Sequence, residues 1–194
     1  MPIPTTQPHA IYVSRVATNP TGPHWLNGSA FRIPVVVTNP YIDWPDLNWQ
    51  GNDIIPQFSE GGPQYLWAEP MADPTHTTNF KFARRWDVTG TTFTHRTIPT
   101  GTYDFVVTHA ADDRYTMILR LGNQALIPVG VNNGTIPVHR PWRNVKAYVY
   151  EDISLFPNSV LRLETSATNI GQPTGTFTSN PAMFSWVMQV FRDI

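Results

Sequence analysis

The chain of 194 residues contains no cysteine. That excludes disulfides, thiol catalysis and cysteine-ligated metal sites together. It leaves an exterior location open, because disulfides are only one sign of secretion. Lysine is nearly missing, with Lys81 and Lys146 alone. Charged residues are 14% of the chain and the formal net charge is −1. Such a balance argues against nucleic acid as a partner, since phosphate binding draws on a surplus of Lys and Arg. No apolar run approaches the about 20 residues of a membrane span, so no membrane insertion is expected. The opening MPIPTTQPHAIYV lacks the basic start and apolar run of a signal peptide. The expected location is therefore extracellular or at a particle surface without a recognisable signal peptide, and otherwise cytoplasmic. Nucleophile elbow, P-loop and dinucleotide fingerprint are all missing. The six histidines show no close metal-ligand spacing. No enzyme is expected.

Proline, by contrast, is abundant at 19 residues, and there are seven Trp. Proline and glycine cut the chain too often for long helices. Between the cuts, polarity alternates with period two. Tyr103, Phe105 and Val107 form one apolar set, and Met117, Leu119 and Leu121 a second. Leu161 and Leu163 form a third, and Phe184, Trp186, Met188 and Val190 a fourth. Each predicts a strand with one face in a core. Many short strands separated by turn residues predict an antiparallel sandwich or barrel. The window Trp142 to Phe156, free of Pro and Gly, predicts strand from its β-branched and aromatic content.

Three zones divide the chain. Residues 1–23 are rich in Pro, Thr and Asn and predict an extended arm, with a strand at Ala10–Val16. Residues 24–194 predict a single β-sandwich domain, beginning with a strand at Phe31–Thr38. Within it, Asn39 to Thr77 predicts a long irregular segment carrying Trp44, Trp49 and Trp67. A loop of that length in a compact domain is usually functional. Exposed Trp stacks on sugars or anchors interfaces. Trp44, Trp49, Trp67, Trp142 and His139 (in the HRPW stretch) are thus candidate sugar or subunit contacts. The alternative is that these aromatics cover a small loop core.

The run KFARRWDV, IPTGTYDF, VVTHAADDRYTMILRLGNQ resembles galactose-binding-like jelly-roll domains, in which ADD follows one strand and precedes another. LFPNSVLRLETSATNIG and NPAMFSWVMQV are similar to that family's closing strands. The likeness spans about Thr78 to Phe191 and implies an all-β antiparallel jelly-roll sandwich. The segment from Met117 to Val138 also resembles, over a short stretch, calcium-dependent galactose-binding lectins. By that likeness Asp112 and Asp113 would be calcium ligands, with Asn169 as a third. The local reading is that the acidic pair shapes a bend by accepting backbone N–H groups. No other cofactor is implied.

Two functions follow. The first is a non-enzymatic structural or adhesive subunit of an extracellular, spore-surface or virion assembly, a homo-oligomer or polymer whose arm joins neighbours. The second is a calcium-assisted carbohydrate-binding lectin. An accessory domain or glycoside hydrolase ranks below both, since a pair of carboxylates at fixed separation cannot be picked from 14 acids by sequence.

Overall fold

A computed structural model describes residues 8–16, 25–38, 63–112, 114–131, 136–139, 145–172, 174–176 and 182–192. Among them are twelve strands and no helix. In chain order these are β1 (Ala10–Val13), β2 (Val35–Val36), β3 (Leu66–Trp67), β4 (Thr78–Val88), β5 (Thr97–Ile98) and β6 (Gly101–Ala111). Then follow β7 (Arg114–Leu121), β8 (Gln124–Ala125), β9 (Ile136–His139), β10 (Lys146–Leu155), β11 (Val160–Asn169) and β12 (Phe184–Arg192). One sheet has the order β10-β6-β12-β3-β2, with β1 also on β12. The second has the order β5-β4-β11-β7-β8, with β9 also on β7. All pairings are antiparallel except the short β4–β5 pair.

The six long strands β4, β6, β7, β10, β11 and β12 alternate strictly between the two sheets. That alternation is the mark of a jelly-roll sandwich. It arises because each apolar face must be covered by the opposite sheet. Phe105, Leu119, Leu163 and Trp186, predicted to face inward, are all buried. Trp86 and Trp186, one from each sheet, meet edge-on at 6.1 Å. The window after Trp142 is strand β10, as its composition predicts.

Three expectations are corrected. Part of the predicted arm is not an arm: β1 lies in the first sheet, paired to β12 from Ala10↔Val190 to Val13↔Val187. All four of its residues are buried. The strand predicted at Phe31–Thr38 shrinks to Val35–Val36. Pro34 has no N–H to donate, and Phe31 is drawn into a turn closed by paired backbone bonds with Gly28 at 3.3 Å. Finally, Phe184 to Phe191 is buried throughout, so the alternation of β12 does not divide a core face from a solvent face.

Candidate binding groove and the crossover end

Asp112 lies where the chain passes from β6 in one sheet to β7 in the other. Asp112 N–H donates to the Met183 carbonyl (2.9 Å), and Arg114 N–H donates to the Asp112 carbonyl (3.2 Å). The bend therefore joins two sheets and is not a hairpin. Asp113 lies outside the described residues. Beside this crossover, Arg114 pairs with Thr168, and the next residue of β11, Asn169, pairs with Thr78 of β4. Asn169 is fully buried. Its Nδ2 donates to the Asp73 carbonyl at 3.3 Å, while its Oδ1 has no hydrogen-bond partner, and neither has Thr78 Oγ1. Buried oxygens left this way are costly and chemically suited to a hard cation. Among the described residues no three His, Asp or Glu side chains converge. Asn169 and Thr78 would thus supply neutral oxygens to a calcium ion, with Asp112 on the adjoining crossover.

A compact turn flanks the same end. Asp73 accepts from Thr75 N–H and Oγ1, both at 2.8 Å, and contacts His76 Nδ1 at 2.9 Å. These bonds, the Thr75 N–H first, hold its carboxyl at about 2. The turn packs tightly on the segment after β11: a side-chain carbon at Gly171 would fall 2.4 Å from the Thr75 carbonyl oxygen.

The other candidate contacts separate. Trp44, Trp49 and Trp142 lie outside the described residues. His139 is in β9, its backbone paired with Arg114. Trp67 is a correction: it is 1% exposed, packed edge-on against Phe80 at 5.6 Å and tilted against Phe82 at 6.1 Å. Its indole fills the core because β3 pairs with β12 at the centre of the sheet. It is not available to stack on a sugar.

A groove that the sequence reading did not identify crosses the outer face of the second sheet. Alternation along β11 turns Arg162, Glu164 and Ser166 outward and Leu161, Leu163 and Thr165 inward. Register places Ser166 between Lys81 and Thr116 in one cross-strand row, and Arg162 between Arg85 and Arg120 in another. The segment 25–32 is bound along β4: Leu26 N–H donates to the Ala83 carbonyl and Arg32 N–H to the Lys81 carbonyl, both at 2.8 Å. This carries the Gly28–Phe31 turn alongside the groove. Two cavities result, of about 530 Å³ and 260 Å³. They share Ala30, Phe31 and Lys81 in their linings and so adjoin; the pair is called the groove below.

Glu164 in the groove floor is held on both sides. Arg120 Nε lies 3.2 Å from one carboxylate oxygen, and Arg162 Nε lies 2.6 Å from the other. The Arg162 contact is an ion pair whose angle falls short of a hydrogen bond. Arg85 pairs with Asp87 on its own strand. Asn79 Nδ2 donates to Thr168 Oγ1 at 2.7 Å, and Asn79 Oδ1 accepts from Ser166 Oγ at 2.9 Å. Beneath the face, buried His109 of the first sheet meets Thr165 Oγ1 across the core at 3.0 Å. Burial pushes its pKa down to about 3.

No family model matches the chain, and no curated protein does. Solved structures of similar architecture include TmCBM61 in complex with beta-1,4-galactotriose, at 10% identity and TM-score 0.37, covering 80% of this chain and 92% of that one. Another is the CBM36-1 domain of a multidomain xylanase from the hindgut metagenome of Trinervitermes trinervoides, at 12% identity and TM-score 0.31, covering 60% and 74%. A third is a CBM4 structure, at 18% identity and TM-score 0.30, covering 86% and 99%. At these values the likeness bears on neither ligand nor site.

Proposed function

We propose that the chain is a non-catalytic carbohydrate-binding β-sandwich whose ligand lies in the groove across the second sheet. The observation that carries this reading is the adjacency of the two cavities, which share Phe31 and Lys81 in their linings. Sugar chains are extended and present vicinal hydroxyls together with apolar ring faces. Fixed bidentate groups meet the first and an aromatic side chain the second. Glu164, clamped between two guanidiniums and 17% exposed, is such a fixed group. Its orientation is set before binding, which lowers the entropic cost of association. Among the described residues lining the groove, Glu164 is the sole carboxylate. Glycoside hydrolysis needs two, which supports binding without cleavage.

Isothermal titration against a panel of soluble plant and bacterial glycans tests this. One or more should bind, and Phe31→Ala or Glu164→Gln should weaken that binding about tenfold, a loss of about 1.4 kcal/mol, with the melting temperature followed in parallel. Absence of binding across the panel, or binding indifferent to both substitutions, would overturn the reading. Calcium at the crossover is a further part of the proposal, supported by the two buried oxygens of Asn169 and Thr78. Repeating the titration with and without a chelator tests it. Unchanged affinity and unchanged stability would remove calcium while leaving the groove.

A further inference from the structure

The outer face of the second sheet concentrates positive charge that the composition conceals. Lys81, Arg85, Arg114, Arg120 and Arg162 all occupy outward register positions on β4, β7 and β11. They are five of the thirteen Lys and Arg in a chain whose formal net charge is −1. The carboxylates on the same strands and face are Asp87 and Glu164, both engaged by arginines. Like charges directly across a sheet repel, and Arg85, Arg162 and Arg120 stand in one cross-strand row. Two carboxylates offset those three guanidiniums. Nothing comparable offsets Lys81: its cross-strand neighbour is Ser166, and no described carboxylate lies within ion-pair distance of it. Lys81 is exposed and lines both cavities. Arg32 lines the larger one, its guanidinium over the Phe80 ring at 5.8 Å.

We propose that this groove selects an anionic glycan, a chain carrying uronate carboxylates, and that Lys81 is the residue that reads the carboxylate. The proposal rests on the glycan reading above and adds the ligand's chemical class. A uronate unit offers hydroxyls to Glu164 and the Asn79–Ser166–Thr168 network, and a carboxylate to Lys81 and Arg32. A simple polyanion such as nucleic acid fits less well, because no row of aromatic rings to stack bases stands among the described residues lining the groove.

The test is titration of the full chain with an oligogalacturonate, with its methyl ester, and with oligodeoxythymidylate. The ester keeps the hydroxyls and removes the charge. The acid should bind at least tenfold more tightly than the ester, and its affinity should fall as salt rises. Lys81→Gln should bring the acid down to the level of the ester, whereas Lys81→Arg should keep the preference. An off-groove substitution, Arg114→Gln, should change little, and all variants should melt as the parent does. Equal affinity for acid and ester would overturn the charge selection and leave the glycan groove standing. Oligodeoxythymidylate binding as tightly as the acid would also overturn it, in favour of a general polyanion surface. Failure of these sugars and of every neutral glycan would remove both readings.

Discussion

His109 illustrates how one buried residue couples the two sheets to pH. Its Nε2 meets Thr165 Oγ1 of the opposite sheet, its Nδ1 has no hydrogen-bond partner, and its ring stacks on Tyr115 at 4.1 Å. A proton added there would create a charge in a buried, apolar core. The folded pKa is about 3 against an ordinary 6.5, so between these values the unfolded chain binds a proton that the folded chain refuses. Stability is therefore full above about pH 6.5 and falls as pH drops toward 3, by up to about 1.4 kcal/mol per pH unit. Urea midpoints at pH 7 and pH 4.5 should differ in the parent. The difference should shrink in His109→Gln. An equal difference in both proteins would assign the acid sensitivity to other groups.

At the scale of elements, β1 is the clearest departure from a detachable arm. Tyr12 packs at a tilt against Trp86 of the other sheet, ring centroids 5.1 Å apart, and its hydroxyl donates to the Thr94 and Thr97 carbonyls at 3.0 and 3.1 Å. Buried Arg84 reaches back from β4: its Nη1 donates to the Val13 carbonyl at 2.7 Å. Its guanidinium also lies 4.9 Å from the Trp86 ring and 5.5 Å from that of Trp186. The strand is thus tied to both sheets. Tyr12→Ala should cost about 3–5 kcal/mol, as removal of a large buried ring does, read from chemical denaturation. A loss under 1 kcal/mol would restore the view of 10–13 as an appendage. The bulge in β10 is a smaller device of the same kind. Asp152 sits there at φ 55°, with its N–H on Asp104 Oδ1 at 2.9 Å, and it breaks the regularity of an edge strand that would otherwise invite pairing.

For the whole molecule, the charge distribution matters more than the net charge. A chain near neutrality carries a basic outer face on one sheet, while the other sheet is buried on both sides around β1 and β12. Assembly into a layer, filament or shell was expected from low charge and a Pro/Thr/Asn-rich beginning, and it stands as a proposal. Sedimentation equilibrium of the full chain tests it. Masses at multiples of 21.9 kDa would support assembly, and a single protomer at every concentration would remove it. Either outcome leaves the groove as a ligand site to be judged by titration.

By itself the sequence determined the strands and the residues inside them, because side chains alternate with a period set by the local backbone. That is why Phe105, Leu119, Leu163 and Trp186 were legible. Between β10 and β11 the structure adds a turn with Asn158 at φ 63°, in the left-handed region that Asn tolerates. The bend at Asp112 was legible as a junction, but not as a passage between sheets. Trp67 was misread because exposure depends on what covers a loop, which no local pattern records. The groove was invisible for a related reason. Lys81, Ser166 and Thr116 become neighbours only through register, as do the three arginines beside them. Register is decided by long-range pairing that buries the opposite face of each strand. Only the tertiary structure brought together the charges that now give the molecule its most specific chemical surface.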